Sequence, residues 1–235
     1  MNKKLVVVTG GCGYIGSHTI IQLINSGFNV ISIDNLSRSR SLALDIVQQI
    51  TGVAIKNYNV DLSNADLTDQ VFSKLDSIFG VIHFAAFKSV PESANFPEKY
   101  YSNNIASLVN VLSSCIKKSV KNVVFSSSCS VYGDLKDLPV SEHTPLSEPK
   151  SPYSYTKLIG ERIMKDVCFA HNIKAMCLRY FNPVGAHTSG KLGEMPLLRP
   201  DNLIPVITQT AIGKRASFEV FGGNLDTRDG SCVRD

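Results

Sequence analysis

The chain has 235 residues, 43% of them hydrophobic, and its 24 basic and 20 acidic residues leave a net charge of +4. That is enough apolar material for one substantial core, or about one and a half domains. The basic residues are scattered, with Lys117 to Lys121 the densest group, and no nucleic-acid motif, membrane-length apolar run or signal-peptide apolar region is present. The six cysteines form no C-x-x-C pair and the five histidines lack metal-ligand spacing. Thiols in a reducing compartment fit this pattern, so the expected location is cytoplasmic, without nucleic-acid, membrane or metal partners.

Residues 4–9 form a continuous apolar run, the mark of a strand buried on both faces of a parallel sheet. Gly10-Gly-Cys-Gly-Tyr-Ile-Gly16 follows, opening a helix with apolar Ile15, Ile20, Leu23 and Ile24 that Gly27 stops. A second strand over 29–33 ends at Asp34. Further strands are expected at 54–60, 80–84, 123–126 and 175–178, with helices near 40–50, 65–75, 97–118 and 153–171. Strand and helix alternate about six times, which predicts an α/β fold with a Rossmann-type, doubly wound parallel sheet. His83, inside an apolar strand, reads as a satisfied core residue. After Arg179 the pattern becomes Pro- and Gly-punctuated, with one helix near 203–213. A domain transition is therefore expected there, dividing the chain into 1–180 and 181–235.

Gly10, Gly13 and Gly16 stand between a buried strand and a helix. Glycine there permits a tight turn, lets backbone approach a pyrophosphate and lets the helix pack close to the sheet. Asp34, capping the second strand, would accept hydrogen bonds from adenosine ribose hydroxyls and repel a 2′-phosphate, which favours NAD over NADP. Arg38 and Arg40 nearby keep NADP open. A flavodoxin-like turn without a dinucleotide is the plainer alternative. Asp61, after the third strand, either holds adenine or caps the next helix.

The polar run Ser126-Ser-Ser-Cys-Ser130 follows the fifth strand, and a Ser- and Pro-rich loop leads to Ser151-Pro-Tyr-Ser-Tyr-Thr-Lys157. Ser151 and Pro152 read as N-cap and first helical residue, which puts Tyr153 and Lys157 on one helical face and Tyr155 on another. A free tyrosine titrates near ~10; one cation at ~4 Å is worth ~4 kcal/mol at an effective dielectric of ~20, or roughly three pKa units. Lys157 is therefore expected to depress the Tyr153 phenol, with Ser126 or Ser128 sharing the travelling proton. A surface Tyr-x-x-x-Lys pair on an ordinary helix is the bland alternative.

Thr9 to His18, Phe125 to Ser128, Val131-Tyr-Gly133, Ser151-Pro-Tyr153 with Lys157, and Arg179 to His187 together resemble the UDP-glucose 4-epimerases. These belong to the extended short-chain dehydrogenase/reductase, or NAD-dependent epimerase/dehydratase, family. The likeness covers essentially the whole chain. It implies an isomerase with retained NAD: Tyr153 as the base, Lys157 orienting the nicotinamide ribose, and Ser128 hydrogen-bonding the sugar hydroxyl. It also implies an NAD site lined by Tyr14, Ile15, Asp34, Asn35, Asp61, Leu62, Phe84, Lys88, Asn103 and Phe181. Asn182, Asn202, Leu203, Phe221 and Arg234 would hold the UDP moiety. Read as residues alone, Asn182 also suits a plain turn, Phe221 a core position and Arg234 a solvated chain end.

The implied reaction removes the 4-OH proton and the C4 hydride of a UDP-hexose, turns the 4-keto sugar over and returns the hydride to its other face. Related 4,6-dehydratases usually carry Thr-Asp-Glu where this chain has Ser128-Cys129-Ser130, so dehydration is disfavoured. UDP-glucuronate or UDP-N-acetylglucosamine epimerisation is the alternative, and a non-catalytic NAD-binding module the reading from another class. The resemblance further implies a homodimer through helices near 97–118 and 153–171. It implies too a substrate domain that continues for roughly another hundred residues, so the 181–235 part is expected to be an incomplete UDP-sugar-binding domain with poor turnover on its own.

Overall fold

The computed structural model describes residues 3–135, 138–197, 200, 202–220 and 222–232. Six parallel strands form one sheet: β1 (Leu5–Thr9), β2 (Asn29–Ile33), β3 (Asn57–Tyr58), β4 (Ile78–His83), β5 (Asn122–Ser128) and β6 (Lys174–Tyr180), in the spatial order β3-β2-β1-β4-β5-β6. Between them run α1 (Tyr14–Asn25), α2 (Leu42–Thr51), α3 (Ala65–Ser73), α4 (Val90–Asn95), α5 (Pro97–Lys117) and α6 (Pro152–Ala170); α7 (Leu203–Ala211) follows the sheet.

The period-2 geometry of β1 divides its valines between the two faces of the sheet. Val7 joins Phe72, Val81, Leu108, Leu112, Phe125 and Met164 under α3, α5 and α6. Val6 and Val8 join Ile20, Ile21, Val30, Leu44 and Val47 under α1 and α2. Each of these side chains contributes about 1.5–3 kcal/mol on burial, so the central strand is anchored from both sides. His83 belongs to this interior as expected: it is buried, its Nδ1 lies 2.8 Å from the Thr9 hydroxyl, and it stacks on Phe125 at 6.1 Å. Among the described residues no helix is long and apolar enough to cross a membrane, no His/Cys/Asp/Glu cluster suits a metal, and the cysteines form no disulfide.

Several boundaries differ from expectation. β3 keeps two residues of the predicted seven, because it pairs with β2 alone and the Asn57 side chain takes over, bonding Ser32 Oγ and the Asp34 carbonyl. β5 and β6 are longer than predicted, since paired backbone carries Ser127 and Ser128 opposite Arg179 and Tyr180 despite their polar side chains. Two short elements were not predicted. Ser89 caps α4 by accepting from Glu92 N, and Ser128 starts a 3-10 turn over Cys129–Tyr132 by accepting from Ser130 N. Each is too short to show a period. β6 forms one border of the sheet, with Met176 59% exposed and Phe169 of the preceding helix 89% exposed.

Candidate active site

Parallel strands bring their carboxyl ends to one edge of the sheet, and the strand order reverses between β1 and β4, where a crevice opens in such folds. The glycine turn sits at that switch. Gly10 has φ +68°, and a Cβ there would lie 2.8 Å from Ala85 N; at Gly16 it would lie 2.2 Å from the Gly10 carbonyl oxygen, so α1 can start only this close to β1 with glycine. Gly13 is the extended N-cap of α1; no side chain caps this helix and no acid stands in its first turn. Its first N–H donors are thus available to an anion at the positive helix end.

Asp34 lies beside this turn, buried. Its Oδ2 accepts from Cys12 N (3.0 Å), and its Oδ1 accepts from Leu36 N (2.9 Å) and Ser39 Oγ (2.8 Å). A carboxylate offers about four acceptor sites, so one remains for a ribose hydroxyl. The residues present therefore fit a dinucleotide: a bare helix N-terminus for the pyrophosphate and an anchored acid for the adenosine. Asp61 does not cap α3. Asn64 does, accepting from Leu67 N at 3.0 Å, while Asp61 Oδ1 accepts from Ser63 N and Oγ.

On the other side of the switch, Ser151 caps α6 through Ser154 N (3.2 Å), with Pro152 in the first turn. The cap fixes the helix start, and Tyr153 and Lys157 share a face: Lys157 Nζ lies 5.8 Å from the Tyr153 ring centroid and 5.1 Å from that of Phe125. Tyr155 points elsewhere, to Glu148. Ser128 stands near enough to the Tyr153 phenol to pull its pKa down, and its Oγ receives bonds from Ser130 N and Oγ. The serine, the tyrosine and the lysine are brought together.

Their electrostatics correct one expectation. The Tyr153 phenol is raised above its ordinary value, not depressed: burial dominates, the Ser128 bond pulls the other way, and Cys129 adds to the rise. Lys157 is not among the groups that shift the phenol. It is buried, its Nζ donates to the Ser126 carbonyl at 2.6 Å, and burial lowers its own pKa to about 8. Ser126 therefore contributes its backbone carbonyl to the lysine.

The remaining predicted residues scatter around these two centres. Tyr14 OH donates to the Gly185 carbonyl (2.7 Å), tying the glycine turn to the segment after β6 that contains Asn182. Asn35 accepts from Ser37 N and Oγ; Ile15 is half-buried in α1, and Leu62 belongs to the core. Phe84 packs on Tyr180, and Phe181, 41% exposed, on Tyr132. Lys88 and Asn202, expected to serve different ligands, meet on Glu194 (3.3 and 2.7 Å). Leu203 begins α7 and is exposed. Phe221 and Arg234 lie outside the described residues.

Two supporting residues escaped the sequence reading. Asn103 donates to Asn104, and buried Asn104 in turn accepts from Phe87 N and donates to the Phe87 carbonyl and Thr156 Oγ1, locking α5, α6 and the loop after β4 together. Glu161 accepts from Ser127 Oγ (2.5 Å) and forms a forked pair with Arg179 (2.9 and 2.8 Å), fixing α6 against β5 and β6. An Asn-Asn pair inside a helix and a lone acid on its buried side were the available signals.

The model of the NAD dependent epimerase/dehydratase family matches residues 6–235. A UDP-glucose 4-epimerase of Dictyostelium discoideum is 48% identical over 231 residues, covering 98% of this chain and 67% of its own length. A bifunctional protein GAL10 of Pachysolen tannophilus is 45% identical over 236 residues; this chain spans 34% of it. The solved UDP-glucose 4-epimerase of Bifidobacterium longum, in complex with NAD+ and UDP, superposes with a TM-score of 0.94 at 45% identity, over 99% of this chain and 69% of that one. With the glycine turn, the anchored acid and the Ser-Tyr-Lys set all at the carboxyl-end edge of one parallel sheet, this chain belongs to the NAD dependent epimerase/dehydratase family.

Proposed function

We propose that the chain inverts C4 of a UDP-hexose, interconverting UDP-glucose and UDP-galactose through a transient 4-keto sugar with retained NAD. The observation that carries this is the Ser128–Tyr153–Lys157 set beside a bare helix N-terminus and an anchored acid. The names of its relatives support the choice of substrate. Bound at this crevice, NAD would supply the hydride acceptor for C4 and a positive ring that favours the phenolate.

As the phenolate, Tyr153 would take the 4-OH proton at its oxygen, while the neighbouring Ser128 hydroxyl shares that proton and positions the sugar hydroxyl. Lys157, clamped on the Ser126 carbonyl, orients the nicotinamide ribose. The α1 N-terminus holds the pyrophosphate; Asp34 holds the adenosine ribose, with Asp61 and Leu62 toward the adenine. Asn182, Asn202, Leu203, Phe221 and Arg234 receive the UDP moiety. The partition at 180/181 is supported by β6, the last strand among the described residues, ending at Tyr180. A homodimer is supported by Tyr101, Ile105 and exposed Val109, spaced four apart on one face of α5. Cysteines without disulfides support a cytoplasmic location.

The test is proton NMR of UDP-glucose mixed with the polypeptide, extended to the length of its relatives, without added cofactor. UDP-galactose is the expected product, and Tyr153→Phe should keep the nucleotide but lower turnover by about 10²–10⁴-fold. Undiminished turnover by Tyr153→Phe would remove the role of the phenol. A requirement for stoichiometric external NAD would mark a dehydrogenase instead.

A further inference from the structure

Four residues beyond Asp34, Arg38 stands where an arginine accommodates a 2′-phosphate in NADP-binding members of this fold. In this chain that guanidinium is already engaged. Arg38 Nη2 lies 2.5 Å from Glu92 Oε1, and its guanidinium carbon sits 4.9 Å from the Phe87 ring centroid. Lys99 Nζ reaches the same carboxylate oxygen at 2.7 Å and covers Phe87 at 5.1 Å, while Tyr100 OH donates to Glu92 Oε2 at 2.9 Å. Glu92 thus gathers two cations and a phenol around one aromatic ring, and its carboxyl is held at about 2 by the bonds from Lys99, Arg38 and Tyr100. The anchor does not slide, because Ser89 caps α4 at Glu92 N and Ser89 N donates to Tyr100 OH.

We propose that Glu92 is a specificity-determining residue: by holding Arg38 it withholds from the adenosine end of the site the cation that a 2′-phosphate would need, and so favours NAD over NADP. The proposal rests on reading the glycine turn as a dinucleotide site. Asp34 supplies repulsion at the ribose; Glu92 removes the compensating attraction. Both are required, because a freed arginine forks onto phosphate oxygens with charge-assisted bonds strong enough to offset part of that repulsion.

The experiment titrates NAD+ and NADP+ separately into the nucleotide-free chain by calorimetry, for wild type, Arg38→Ala, Glu92→Gln and the double variant. Glu92→Gln should tighten NADP+ relative to NAD+ by about tenfold, the scale of one charged hydrogen bond. Adding Arg38→Ala should return the ratio to the wild-type value. Exposed Arg40 is present in all four proteins, so the cycle isolates Arg38. Arg38→Ala alone should leave the ratio unchanged. This arm decides the matter even if Glu92→Gln unfolds, since a loss of NADP+ affinity there would show that Arg38 already serves the phosphate and would overturn the proposal. An unaltered ratio in folded Glu92→Gln, or a gain that survives Arg38→Ala, would overturn it with the NAD reading intact. A wild type that binds neither nucleotide would instead remove the NAD reading and the proposal together.

Discussion

Lys157 gives the sharpest thermodynamic test of the site. The residue is 4% exposed, and burial lowers its pKa from 10.5 to about 8. The sign follows from linkage: between pH 8 and 10.5 the unfolded chain still holds the proton that the folded chain has released, so stability rises with pH in that window. From pH 7 to pH 10 the gain integrates to about 2.5 kcal/mol from this group. Other lysines and tyrosines titrate near the upper end, so the useful quantity is a difference. Urea unfolding of wild type and Lys157→Met at pH 7, 8, 9 and 10 should give curves whose separation moves by about 2–3 kcal/mol in favour of wild type as pH rises. Methionine fills the same space without a charge, although it leaves the Ser126 carbonyl without its donor, a constant offset of about 1–3 kcal/mol that does not depend on pH. A separation that is flat from pH 7 to 10 would refute the argument that burial, with no carboxylate beside it, governs this lysine.

Gly16→Ala would place a methyl 2.2 Å from the Gly10 carbonyl oxygen, and backbone cannot yield that far without moving α1; NAD+ affinity by calorimetry should fall at least about tenfold, and unaltered affinity would detach the turn from the cofactor. Ser151→Ala removes the α6 cap and should cost about 1 kcal/mol in urea unfolding, with Tyr153 in the first turn that frays. His83 is buried neutral, its pKa lowered to about 3 by burial and by Lys157. The unfolded chain therefore takes up the proton first as pH falls through 6.5, stability declines from there toward pH 3, and the imidazole resonances should stay at their neutral shifts until the chain unfolds.

Local chemistry was readable because each feature needed only its neighbours in sequence. Gly10, Gly13 and Gly16 announce a turn by spacing alone, Asp34 by ending a strand, and Tyr153 with Lys157 by a Ser-Pro cap and a four-residue interval. What was not readable depends on distant residues. Gly11 occupies an unassigned position of the glycine pattern, yet a Cβ there would lie 2.4 Å from Ser32 Oγ on the next strand. Arg38 and Glu92 are 54 residues apart, and Asn104 and Thr156 are 52 apart. The direction of the Tyr153 shift failed for the same reason. Helical spacing places a cation near the ring, but whether the ammonium faces the oxygen, and how far both groups lie from water, is decided by Ser126, Phe125 and the packing of α6.

The last strand carries a separate consequence. β6 presents Met176 to solvent, and on its outer flank its N–H and C=O groups face no further strand among the described residues. Unsatisfied ladders recruit whatever extended backbone comes within reach. A concentrated solution of this polypeptide should accordingly stick to itself along β6, and a lysine at Met176 should keep it dispersed without touching the crevice where the chemistry takes place.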